Sequence, residues 1–241
     1  MSDTETHFGF RRVPKDDKAA LVRDVFDRVA GRYDLMNDAM SMGLHRAWKS
    51  AFVGWLAPRG AMRIADLAGG TGDVARRILA RAPQARITVI DINAEMLAVG
   101  AKRVAGVDWV CGDAEKLPLA DSSLDAVTMA FGIRNCTDPA AVLAEARRAL
   151  RPGGRFMCLE FSKLQVVGLD GLYDAYSFQA IPRLGGLLAG DRDAYQYLVE
   201  SIRQFPDQQA FAAMIEAAGL SQVKVRNLAG GVAARHSAWR V

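Results

Sequence analysis

Apolar residues recur along the chain with two periods, and the switch between them lays out the elements. From Lys18 to about Leu56 the spacing is helical: Leu21, Val22, Val25, Phe26 and Val29 form one stripe and Trp48, Phe52, Trp55 and Leu56 another. A polar, Met-rich break, YDLMNDAMSMG, separates them. Strand-like and helix-like segments then alternate: MRIADLA, VARRILARA, RITVIDI, AEMLAVGAKRV, DWVCGD, LDAVTMAFG, PAAVLAEARRAL and RFMCLEF. Short strands separated by helices pair in parallel through right-handed crossovers. Asn93 and Asp138 read as N-caps, the latter followed by Pro139, and Pro152-Gly153-Gly154 reads as the stop after a helix ending at Leu150. Beyond Phe161 the alternation breaks. Residues 162–192 carry LYDAYSFQAIPRLGGLLAGD, helical YQYLVESIRQF and QQAFAAMIEAAG follow, and QVKVRNL and VAARHSAWRV form a terminal hairpin across Gly230-Gly231.

Composition narrows the class. At 241 residues, 51% hydrophobic and 24% charged, the chain suits one large α/β domain with a sizeable core. Its net charge of +4 permits attraction to anionic surfaces. No Lys/Arg cluster interleaved with aromatics points to nucleic acid. The N-terminus MSDTETHFGFRRVPKDDK lacks the apolar core of a secretory signal, and no apolar run approaches the roughly 18 residues of a membrane span. Cys111, Cys136 and Cys158 fall in or beside apolar runs without metal-ligand spacing, so buried, reduced thiols, no metal site and a cytoplasmic protein are expected.

Candidate chemistry begins at DLAGGTGD, Asp66 to Asp73, between a strand and a helix. From Gly70 it fits the dinucleotide pattern G-x-G-x-x-G/A. From Asp66 it is an acidic strand end followed by a glycine turn, as in enzymes that bind S-adenosylmethionine. Asp91 ends the next strand, where a carboxylate meets ribose hydroxyls. Either ligand has a ribose, so phosphate must discriminate. A pyrophosphate seeks the positive end of a helix, and Asp66 and Asp73 would put negative charge beside it. S-adenosylmethionine instead brings a sulfonium, an ammonium and a single carboxylate. Asp66 can face the two cations while N–H groups of the turn take the carboxylate. At the third strand end, Asp113 can accept from an adenine amine while Ala114 packs on the ring.

These residues resemble the class I S-adenosylmethionine-dependent methyltransferases and, more narrowly, the C-methyltransferases of ubiquinone and menaquinone biosynthesis. VAGRYDLMNDAMSMGLHRAWK, DLAGGTGD, FGIRNCTDP, LRPGGRFMCLEFSK, YDAYSF, YQYLVESIRQFPDQQ and NLAGGVAARH carry the resemblance in order, over residues 25–236. FGIRN, LEFSK and ESIRQFPDQ are its most specific parts. The resemblance implies a Rossmann-like α/β fold: a central, mostly parallel seven-stranded sheet with a C-terminal antiparallel hairpin and an N-terminal helical lid. Residues 1–58 would be the lid and 59–241 the cofactor-binding core. It also implies cofactor contacts at Thr71, Asp91, Asp113 and Ala114. Two positions depart from the family pattern: Ala130 stands where a serine is usual, and Arg235 where an apolar residue is more common.

The implied acceptor is a polyprenylated benzoquinol or naphthoquinol, methylated on a ring carbon. Carbon becomes nucleophilic when the neighbouring phenol loses its proton, so the enzyme must favour a phenolate and align it. Arg134 and Asn135 are the candidates, the guanidinium for phenolate charge and the amide for orientation; Arg134 is too basic to be the base. Tyr176, with His236 as a lesser candidate, is assigned to proton relay, and Tyr33 to a lid over the cofactor. Phe178, Ile181, Leu184, Leu187 and Leu188 offer an apolar route for a lipid tail, with Arg183 and Arg192 facing anionic headgroups. Peripheral membrane attachment, a biosynthetic complex or a homodimer follow as expectations. Competing readings are a methyltransferase for another small or lipid acceptor, an NAD(P)-dependent reductase and a non-catalytic scaffold.

Overall fold

The computed structural model describes residues 4–29, 38, 41, 43–165 and 192–241, with the backbone alone for Val29 and Arg192. Its centre is a seven-stranded sheet of β3 (Arg63–Leu67), β4 (Arg86–Asp91), β5 (Val107–Cys111), β6 (Leu124–Ala130), β7 (Leu150–Phe161), β8 (Ser221–Leu228) and β9 (Ala233–Trp239). Strand order is β5-β4-β3-β6-β7-β9-β8. Neighbours from β5 through β7 are parallel, and β9 runs antiparallel to both β7 and β8. The order reverses between β3 and β6, which opens a crevice at their carboxyl ends.

Residue alternation splits the core into two layers. Ile64, Val89, Met157 and Leu159 face one layer with Phe52, Ile78 and Leu198. Ala65, Ile90, Phe156 and Cys158 face the other with Leu143, Phe211 and Ile215. A side chain changes face at each residue of a strand, so one apolar run serves both layers.

The helices follow the sequence pattern closely: α1 (Lys15–Val29), α2 (His45–Leu56), α3 (Asp73–Leu79), α4 (Ala94–Arg103), α5 (Pro139–Ala149), α6 (Arg192–Gln204) and α7 (Gln208–Ala217). Asn93 caps α4 by accepting from the Met96 N–H at 2.9 Å. Asp138 caps α5 through the Ala140 and Ala141 N–H groups, with Pro139 in the first turn.

Three expectations change. Pro152-Gly153-Gly154 does not end a helix, because α5 stops at Ala149 and these residues already lie in β7. Their backbone is drawn into the sheet by Arg240, through Gly153 N–H to Arg240 O at 2.7 Å and Arg240 N–H to Gly154 O at 2.9 Å. Cys111 is exposed rather than buried, on the sheet's edge strand; Cys136 is half-buried and Cys158 buried. The polar N-terminal stretch forms a hairpin, β1 (Glu5–Phe8) with β2 (Arg11–Pro14), turning at Gly9 with φ +58°. Phe8 of this hairpin stacks on Tyr197 of α6 at 4.2 Å between ring centroids.

Candidate active site

The crevice at the ends of β3, β4, β5 and β6 is an open cavity, with about 830 Å³ of space between its walls when the solvent at its mouth is included. Apolar walls come from Val22 and Phe26 of α1, Met96 of α4, Ile90 and Phe131, and polar groups from Asp91, Asn93, Asp113 and Asn135. A smaller cleft of about 330 Å³ adjoins it through Ala68 and Gly70 and is lined by Lys49, Asp66, Thr71, Asp73 and Ala130. Ala68 (φ 47°) and Phe131 (φ 61°) end β3 and β6 in the left-handed region. Such strain in non-glycine residues persists where a site requires the geometry.

The strand-end carboxylates are not equivalent. Asp91 Oδ2 accepts from the Gly70 N–H at 2.8 Å and Oδ1 from the Asn93 N–H at 2.9 Å. Burial raises its pKa, and the backbone donors hold that rise back. Asp113 accepts from the Glu115 N–H at 2.8 Å. Asp66 is 1% exposed, and its Oδ1 accepts from the Thr128 hydroxyl at 2.7 Å. Its Oδ2 has no hydrogen-bond partner among the described residues. Burial pushes Asp66 up to about 7, with the Thr128 bond and the Lys49 charge pulling the other way.

Asp73 behaves differently from the sequence argument. Lys49 Nζ at 3.3 Å, Arg76 Nη2 at 2.9 Å and Arg77 Nε at 3.2 Å surround it and hold its pKa at about 2 against the cost of burial. Asp73 therefore adds no net negative charge beside the turn. The case against a pyrophosphate rests on Asp66 alone.

Asp91, Asp113, Ala114, Gly70 and Asn135 converge on the large cavity, whereas Asp66 and Thr71 line the smaller cleft. Arg134 is on neither wall. It is buried, and its Nη1 donates to Glu160 Oε1 and to the Phe131 carbonyl, both at 2.7 Å, with Arg134 Nε and Glu160 Oε2 left without partners among the described residues. Asn135 Oδ1 accepts from the Tyr197 hydroxyl at 3.1 Å, which orients the amide toward the cavity Asn135 lines. His236 lies in the sheet, bonded to the Gln208 carbonyl at 3.0 Å and edge-on to Phe211. Arg235 donates to the Ala51 carbonyl at 2.8 Å and lies over the Trp55 ring. Tyr33 and Tyr176 lie outside the described residues, as do Phe178, Ile181, Arg183, Leu184, Leu187 and Leu188.

Sequence reasoning missed Glu160, Tyr197 and Lys49. Glu160 closes the apolar run RFMCLEF as Asp66 and Asp91 close theirs, so the same rule of an acid at a strand end finds it. Tyr197 and Lys49 carry no comparable signal, because their importance arises from helices packing across the chain.

S-adenosylmethionine fits this site. The Asp66 oxygen without a partner among the described residues suits a cation, and Gly70 holds a left-handed turn (φ +54°) where a Cβ would press on Met96 Cε at 3.1 Å, a wall of the large cavity. Strand order, the glycine turn and the carboxylate rim together define a class I S-adenosylmethionine-dependent methyltransferase. Solved structures share this fold: an S-adenosylmethionine-dependent methyltransferase from Thermotoga maritima has a TM-score of 0.67 at 19% identity, covering 91% of this chain and 100% of that one. Phosphoethanolamine N-methyltransferase 2 of Haemonchus contortus, solved with S-adenosyl-L-methionine, has a TM-score of 0.61 at 15% identity, over 80% of this chain and 52% of its own.

The profile of the ubiE/COQ5 methyltransferase family matches residues 12–240, and the chain belongs to that family. It is 56% identical to the ubiquinone/menaquinone biosynthesis C-methyltransferase UbiE of Dinoroseobacter shibae, over 100% of this chain and 98% of that protein. It is 58% identical to the protein of the same name from Paracoccus denitrificans, over 98% of this chain and 97% of the relative. The nicotinamide alternative is set aside by this membership.

Proposed function

We propose that this enzyme methylates a ring carbon of a polyprenylated quinol in ubiquinone or menaquinone biosynthesis. The observation that carries this reading is its relation, along the full length and above 50% identity, to proteins named for that reaction. When bound, S-adenosylmethionine supplies a methyl group on a sulfonium, ready for transfer to carbon. Asp91 would receive the ribose hydroxyls, Asp113 and Ala114 the adenine, and Asp66 the ammonium end, with Gly70 and Thr71 forming the turn between.

On the acceptor side, Arg134 is the proposed source of positive charge for a phenolate, acting from behind Asn135, since it lines neither described cavity and its Nη1 is held by Glu160. Its Nε is a buried donor without a partner among the described residues, while Glu160 and the Phe131 carbonyl hold its Nη1. Asn135, already oriented by Tyr197, would position the ring or a bridging water. Alignment of this kind supplies several kcal/mol, up to about 7 to 11 in the best intramolecular cases. Tyr176 remains the proposed proton relay and Tyr33 the proposed lid residue.

No helix among the described residues is long and apolar enough to cross a membrane. A prenylated acceptor would then be met at a membrane surface or within a biosynthetic complex. Quinone profiling of cells lacking the chain tests the acceptor: a demethylated quinone precursor should accumulate, and an unchanged profile overturns the assignment. Arg134→Ala tests the chemistry and separates catalysis from scaffolding. Cofactor affinity should hold while methyl transfer falls by about 100-fold or more, and unaltered transfer removes Arg134 from the reaction.

A further inference from the structure

Helix α2 reads HRAWKSAFVGWL and contains no acidic residue. Its apolar stripe, Trp48, Phe52, Val53 and Leu56, is buried in the core, and Lys49 beside it is only 5% exposed. Burying an ammonium is costly unless an anion meets it. Among the described residues the anion in reach is Asp73, at 3.3 Å, yet Asp73 already binds Arg76 and Arg77 from its own helix. Asp66 lies across the same small cleft with an oxygen that has no partner among the described residues, and Lys49 acts on it electrostatically. The cleft thus pairs a surplus cation with an open carboxylate oxygen, next to the turn of Gly69, Gly70 and Thr71.

We infer that Lys49 binds the carboxylate of the cofactor's amino-acid end, opposite Asp66, so that the small cleft is a receptor for a zwitterion. This rests on the proposed placement of the ammonium at Asp66. An α-amino acid carries its two charges on groups attached to one carbon, and a cleft offering one acid and one ammonium matches both. Lys49 then distinguishes cofactors bearing that carboxylate from those without it.

Two probes isolate this contact: S-adenosylhomocysteine, and its amine analogue S-adenosyl-3-thiopropylamine, which lacks only the carboxylate. Wild-type enzyme should bind the first about tenfold or more tightly than the second in calorimetric titration, as expected for a charge-assisted hydrogen bond. Lys49→Met should abolish that preference through weaker binding of S-adenosylhomocysteine, with the amine analogue held as tightly as before or more so. Retained binding of the analogue reports an intact adenosine pocket. If Lys49→Met does not fold, Lys49→Gln reads the same ratio. A preference unchanged from wild type in the folded variant overturns the assignment to Lys49. The absence of any preference in wild type would overturn the zwitterion receptor itself.

Discussion

At the ends of β4 and β5, carboxylates are fixed by backbone N–H groups from neighbouring turns: Gly70 and Asn93 to Asp91, Glu115 to Asp113. At the ends of β6 and β7, buried side chains fix one another: Arg134 with Glu160, and Asn135 with Tyr197. The first arrangement needs only the turns after β3, β4 and β5 and the pairing of β3 with β4. The second exists only once β6, β7 and α6 have all assembled. A half-site held by local donors tolerates loss of one side chain, whereas a half-site held by side-chain pairs strands the survivor when one is removed.

The largest effect should come from that second half. Glu160→Ala leaves the Arg134 guanidinium buried and uncompensated, and a loss of about 3 to 5 kcal/mol in denaturant-measured stability is expected. A loss below about 1 kcal/mol would mean the pair is no more than a surface-like contact. Asp66 sharpens the comparison from the cofactor side, since it has neither backbone donors nor an ion pair of its own. Its pKa in the folded protein is about 7 against 3.8 unfolded, so the folded state holds the proton more tightly. Wild-type stability should therefore fall as pH rises from about 4 to 7, by up to about 4 kcal/mol relative to Asp66→Asn. Parallel stability curves for the two proteins over that window would refute the assignment. Asp91→Ala should have the smallest effect on the fold, because its two partners are uncharged backbone N–H groups and no buried ion is stranded. S-adenosylhomocysteine affinity should nonetheless drop by about 10- to 100-fold, from lost ribose hydrogen bonds; calorimetry showing full affinity would remove Asp91 from the cofactor.

The same contrast explains what the sequence revealed. The order of strands and helices, the caps at Asn93 and Asp138, and the acids at 66, 91 and 113 each leave a signature within a few residues. So local periodicity and strand-end chemistry were enough to read the alternation of strands and helices and the acids at the carboxyl edge of the sheet. The N-terminal hairpin escaped because its strands are four residues long and largely polar on their outer face, with only Val13 and Thr6 well buried. Arg134 was legible as a charge in FGIRN but its partner was not. Glu160 lies twenty-six positions away, and nothing local in either segment couples them. The ring of cations about Asp73 was half legible, in Arg76 and Arg77 one turn on. The third member arrives from a different helix.

Helix α1 supplies Val22 and Phe26 to the cavity wall and is secured from both sides. Lys18 Nζ donates to the Cys136 carbonyl at 2.7 Å and Asn93 Nδ2 to Asp27 at 2.7 Å, while Thr6 of the hairpin reaches the Thr137 carbonyl at 3.2 Å. During ribosomal synthesis these residues emerge before any of the groups that fasten them, and Tyr197, on which Phe8 stacks, comes later still. Non-local contacts of this kind must wait for the loop between them to close. The wall of the cavity nearest the start of the chain therefore docks only after β4 and β6 are made, and a polypeptide arrested before α6 would hold the five parallel strands without β8 and β9, and no Tyr197 for Phe8 to stack on.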